Sequence, residues 1–159
     1  MGRKSTNPHK SIYFEAREQA NDGQGMTRAE ASVALNCISE SRLEKLETGK
    51  TTLQPEDVVD MARVYNRPDL CNYYCRHDCA IGADSVPEAR EIALPEIALG
   101  MLSSLNTLDS YKNRLIEIAA DGKISEDEKK DFNEIKKQLE NIDTVVESLK
   151  LWVAKNLND

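Results

Sequence analysis

The sequence is poor in the residues that carry chemistry. Two histidines, His9 and His77, and one tryptophan occur in 159 residues, and aromatic side chains make up only 5%. There is no glycine-rich phosphate loop and no nucleophile paired with a base, so the chain is not expected to be an enzyme. Few aromatics beside 31% charged residues also disfavour a β-sandwich and suit helices rich in Glu, Lys and Leu. No apolar run approaches the roughly 18 residues of a transmembrane helix, and the N-terminus lacks the apolar region of a signal peptide. A cytoplasmic protein, away from the membrane and with its four cysteines reduced, is the expectation.

Positive charge is the second shortage. The formal net charge is -7, so a general attraction to phosphates is missing. The shortage is uneven. Residues 1–82 carry 11 Lys and Arg against 12 Asp and Glu, whereas residues 83–159 carry 10 against 16. The first half is about neutral, and local charge rather than the total faces a bound polyanion.

What the chain does have is a well-punctuated stretch from Met26 to Lys50. Thr27 and Glu30 stand at capping-box spacing, and Ala31, Ala34 and Leu35 follow at helical spacing. Asn36 tolerates the left-handed backbone of a tight turn, Ile38 supplies an apolar plug and Ser39 is a second N-cap. In the helix it opens, Leu43 and Leu46 face inward while Glu40, Arg42, Glu44 and Lys45 face outward; Gly49 ends it, with Lys50 close behind. Downstream, Gln54-Pro55 starts a helix with Val58, Met61, Ala62 and Tyr65 on its inner face, and Pro68-Asp69 opens another carrying Leu70, Tyr73 and Tyr74. Upstream, Ser11 caps a helix of Ile12, Tyr13, Phe14, Ala16 and Arg17, broken by Asn21-Asp22-Gly23 and Gly25.

These parts resemble the phage-repressor (Cro/Xre-like) helix-turn-helix family over residues 11–82, on Thr27, Ala31, Leu35, Ser39, Leu43, Leu46-Glu47-Thr48-Gly49, Pro55 and Met61-Ala62. Arg28 stands where the family usually has Gln, the turn lacks its usual Gly, and it looks one residue longer. The resemblance implies a five-helix domain that binds double-stranded DNA as a transcriptional regulator. Docking of the second helix in the major groove would bring Ser39, Glu40, Ser41, Arg42 and Lys45 nearest the bases, with Arg42 as the guanine reader. Thr27, Arg28 and Lys50 would lie nearer the phosphates. A basic tail over residues 1–10, with Arg3, Lys4, His9 and Lys10, reads either as disorder or as an arm for phosphates.

Between the halves stands Cys71, Cys75, His77 and Cys79. The spacing matches no standard zinc or iron–sulfur motif, so no cofactor is the first expectation, with zinc or an iron–sulfur cluster held by these three thiols and the imidazole as one alternative. The other readings are small buried hydrophobes or a redox-responsive pair. Cys37 in the turn reads as packing. Ala80 to Ser85 reads as a linker, and Ser85-x-x-Glu88 with Pro87 as the start of a brief helix that Pro95 breaks.

Residues 83–159 read as a long antiparallel helical hairpin, which makes the whole chain all-α. From Pro95 to Ala120 the apolar positions are Ala98, Met101, Leu105, Leu108, Leu115 and Ala119; the last helix places Phe132, Ile135, Leu139, Ile142, Val146, Leu149 and Val153 in heptads. The turn, Asp121-Gly122-Lys123-Ile124-Ser125 with Glu128, matches only the second half of a calcium loop, so no calcium is expected. A two-helix hairpin leaves apolar surface to cover, by the first domain, another protein or a second chain; a homodimer through these helices is the expectation, and a monomer with the hairpin folded back on the first domain its competitor. The competing reading is a protein-interaction module that keeps the fold without DNA binding, since Glu40, Glu44 and Glu47 outnumber Arg42 and Lys45.

Overall fold

Capping residues start the helices largely where the sequence places them. The computed structural model describes residues 11–120 and 122–157, so the tail over 1–10, with Arg3, Lys4, His9 and Lys10, lies outside it, as does Asp121. All regular structure among the described residues is helical. The chain divides into two compact units, one ending at Val86 and the other beginning at Pro87.

The first unit holds α1 (Ile12–Glu18), α2 (Arg28–Leu35), α3 (Glu40–Glu47), α4 (Pro55–Val64), α5 (Asp69–His77) and a one-turn α6 (Gly82–Ser85). Ser11 caps α1 through the Phe14 amide at 3.1 Å, and Asn21, Asp22, Gly23 and Gly25 all take positive φ in the turn that follows. Tyr13, Leu35, Ile38, Leu43, Met61 and Leu70 are central to one contiguous core. Ala31 and Leu35 bury the inner face of α2, but Ala34 is exposed, contrary to expectation. It lies too far round the helix from Ala31 and Leu35 to reach the core.

Two further expectations fail at the end of this unit. Ala80 to Ser85 is not a free linker, because Gly82 brings α6 against the backbone of Cys75, so close that a Cβ would collide with that carbonyl. The Gly82 amide meets the Cys79 sulfur at 3.5 Å, and Arg76 donates to the Ala83 carbonyl. No helix starts at Ser85-x-x-Glu88. Val86, ahead of Pro87, is extended, and the Arg90 amide goes to the Ser148 hydroxyl at 3.0 Å instead of to its own chain segment. Pro95 therefore opens the next helix, where its missing donor costs nothing, rather than breaking one.

The second unit is the expected pair of long helices, α7 (Leu94–Ala119) and α8 (Lys129–Asn156), packed on each other. Ser125 meets Glu128 in the turn at 2.7 and 2.9 Å. The seam follows the expected stripe only in part: Met101 and Leu108 on α7 and Phe132, Ile135, Ile142, Val146 and Leu149 on α8 are buried or half-buried. Ile97, Ser104, Tyr111 and Ile118 on α7 face Ile135, Gln138, Ile142 and Val145 on α8 as buried or half-buried positions. Ala98, Leu105, Leu115, Ala119, Leu139 and Val153 are exposed. The Arg114–Asp131 ion pair at 2.6 Å and the Arg90–Ser148 bond hold the helices in this rotation from opposite ends.

One substitution tests the corner between α5 and α6. Gly82→Ala is expected to destabilise the first unit by about 1–3 kcal/mol in urea unfolding, since the carbonyl of Cys75 is backbone and cannot step aside.

Candidate nucleic-acid interface

α2 and α3 are joined through four residues, of which Asn36, Ile38 and Ser39 follow their sequence cues. Asn36 adopts the left-handed backbone (φ 56°), Ile38 is 1% exposed beneath the turn, and the Ser32 hydroxyl donates to the Ile38 carbonyl at 2.8 Å. The Ser39 hydroxyl accepts the Arg42 amide at 3.3 Å and starts α3. At the other end, Gly49 (φ 69°) turns the chain and the Lys50 amide donates back to the Lys45 carbonyl at 2.8 Å. Cys37 is exposed rather than packed, with its sulfur 3.6 Å from Asp60 of α4; burial and that carboxylate push its thiol above the usual range.

The anchor of α3 is Glu47. It is 1% exposed, where the sequence reading counts it among the outward charges. Its carboxylate accepts from Arg17 Nε at 2.5 Å and from Arg28 Nε at 2.9 Å. Arg17 is itself buried, also reaches Glu18 at 2.6 Å and the Met26 carbonyl, and lies over the Phe14 ring with 5.1 Å to its centroid. One carboxylate thus joins α1, the start of α2 and the end of α3. Beside it, burial and then the Glu47 charge push the Tyr65 phenol well above its usual range, with Arg17 partly offsetting them.

Around this anchor most of the candidate residues are exposed. Ser39, Glu40, Ser41, Glu44, Lys45 and Lys50 are exposed, and neither Lys45 nor Lys50 has an ion-pair partner among the described residues. Arg42 is half-buried and bonds Asp57 of α4 at 2.6 Å; Asp57 also accepts the Gln54 amide at 3.1 Å. The partner is not one of the glutamates on its own helix. Arg28 is half-buried by its bond to Glu47, and the Thr27 hydroxyl is engaged with Glu30. With Glu47 withdrawn and Arg42 held on Asp57, the exposed charges of α3 are Glu40 and Glu44 against Lys45, and exposed Lys50 follows.

These helices have the outline of a helix-turn-helix, and the family comparison agrees. Residues 15–70 match the model of a helix-turn-helix domain. This is consistent with the Cro/Xre-like resemblance. No curated protein and no solved structure matches the chain. The helix-turn-helix match ends at residue 70, so α7 and α8 lie beyond it.

The cysteines fall outside this surface and do not converge. Cys71 packs partly against the core, where burial, then Cys75 and Asp69, raise its thiol pKa. His77 stacks on Tyr73 with ring centroids 4.3 Å apart, and Cys79 lies past the end of α5. Among the described residues no three His, Cys, Asp or Glu side chains gather as a metal site.

Two measurements test this geometry. Glu47→Ala strands a buried guanidinium and is expected to cost about 3–5 kcal/mol in urea unfolding. Thr27→Ala is expected to cost about 1 kcal/mol at neutral pH. Hydrogen bonds from the Thr27 amide and then its hydroxyl hold the Glu30 carboxyl below its usual range, so its support exists above the unfolded pKa and fades as pH falls through the lower, folded one. The gap between parent and Thr27→Ala stability is therefore expected to narrow in acid.

Proposed function

We propose that the protein is a sequence-specific DNA-binding transcriptional regulator, non-enzymatic, that acts as a dimer joined through α7 and α8. The observation that carries the reading is the exposed face of α3 in a matched helix-turn-helix domain, with Glu47 withdrawn beneath it. In this reading α3 enters the major groove. Arg42, held at one guanidinium edge by Asp57, presents its other donors to a guanine, and Glu40 or Glu44 accepts from a cytosine amine. Ser39, Ser41 and Lys45 contact the same groove, while Thr27, Arg28 and Lys50 meet phosphates. The interaction-module reading rests on an excess of carboxylates on α3; Glu47 is withdrawn beneath the face, and Lys45 with Lys50 beyond the helix balances Glu40 and Glu44.

Selection of bound sites from random duplexes at low salt tests the proposal. A two-fold symmetric site is the expected result; recovery of no enriched sequence would contradict it. On the enriched site, Arg42→Ala should cost about 1–3 kcal/mol and relax preference at one base position. Lys50→Ala should instead weaken all sequences alike and reduce the slope of log K against log salt by about 0.9.

A further inference from the structure

We infer that the Tyr65 hydroxyl is a reserve donor to Glu47, taking the place of Arg28 when Arg28 leaves that carboxylate for a DNA phosphate. The inference rests on the DNA-binding reading above and deepens it, because it says how a residue tied down in the free chain becomes available to a duplex.

Arg28 stands between two anions. Its Nε donates to Glu47 Oε2 at 2.9 Å, yet its side chain is still 35% exposed at the start of α2. A phosphate gripped by the same guanidinium would sit close to the Glu47 carboxylate, and two anions on one cation repel. Full engagement of the phosphate therefore draws Arg28 off Glu47.

The cost of that move falls on one oxygen. Glu47 is 1% exposed, so bulk water does not replace a lost donor. Arg17 Nε stays on Oε1 at 2.5 Å, but the only other bond from Arg17 to this carboxylate, Nη2 to Oε2, is long at 3.3 Å. Oε2 is thus the atom that Arg28 leaves poorly satisfied.

A donor lies beside it. Among the described residues, Tyr65 carries the one buried side-chain oxygen or nitrogen without a hydrogen-bond partner, in a residue 2% exposed. Two observations place it at the ion pair. Arg67, two residues after Tyr65, donates to the Gln19 side chain at 2.9 Å, and Gln19 is two residues after Arg17. That bond fastens the end of α4 to the end of α1. Burial and then the Glu47 charge also keep the phenol protonated, so it holds the proton it would donate. In the free chain Arg28 occupies Oε2. Once Arg28 leaves, Glu47 and Tyr65 each gain the partner the other lacks, through a hydrogen bond to a charged acceptor.

A double-mutant cycle on the full chain, without DNA, tests the reserve donor. In urea unfolding, Tyr65→Phe alone is expected not to favour unfolding, since the hydroxyl it removes is unbonded. In an Arg28→Ala background, where Oε2 is vacated, the same change should favour unfolding about tenfold. A hydroxyl already bonded, to protein or to water, would cost the same in both backgrounds. One that never reaches Glu47 would cost nothing in either. Each of those results overturns the inference. Binding to a selected duplex repeats the cycle. There Tyr65→Phe should weaken the parent about tenfold and leave Arg28→Ala unmoved, because the same bond forms on DNA in the first and beforehand in the second. Equal weakening of both would overturn the exchange. If no duplex is selected, the DNA reading falls, and the unfolding cycle still decides whether Tyr65 replaces Arg28 at Glu47.

Discussion

The first unit depends on one buried carboxylate. Glu47 sits at the end of α3 with almost no exposure and accepts from Arg17 of α1 and Arg28 of α2. Burying a carboxylate is costly unless it is paired and hydrogen-bonded, and here two guanidinium groups do both. The arrangement leaves little freedom in the angle between α2 and α3, because three helices meet at its two oxygens. It also decides the charge of the outer face, since a carboxylate spent on internal arginines no longer opposes phosphate.

The same economy explains why so acidic a chain can still be read as a DNA binder. Net charge describes the whole molecule, but the surface around α3 has Lys45 and Lys50 without ion-pair partners among the described residues and Arg42 held on Asp57. The excess of acidic residues falls after residue 82. Attraction to DNA without regard to sequence should accordingly be weak, leaving discrimination to base contacts.

Much of this was legible in the sequence wherever a local signal decided the outcome. Thr27 and Ser39 cap their helices with their own hydroxyls, and Asn36 and Gly49 take the left-handed backbone their chemistry allows. Glu47 is placed by position rather than by charge. It follows Leu46 and stands one turn after Leu43, which places it on the inner face, as Arg17 is placed by Ala16 and Tyr13. The ion pair of Arg42 with Asp57 joins residues on different helices and has no local signature. The hairpin shows the opposite limit. Heptad spacing identified an apolar stripe correctly, but spacing cannot say whether the partner is the neighbouring helix or another chain. The rotation was set by Arg90, Ser148, Arg114 and Asp131, which lie outside that pattern.

The two units thus solve different problems. The first encloses a contiguous core and anchors its outward helix by charge; the second presents apolar surface to be covered. The central claim is that α3 is the surface that meets DNA, and amide NMR of the chain titrated with a selected duplex tests it most directly. Shifts concentrated at residues 39–45, with smaller ones at residues 27–28 and 50, are the predicted result. Shifts confined to α7 and α8, or none on addition of duplex, would contradict it.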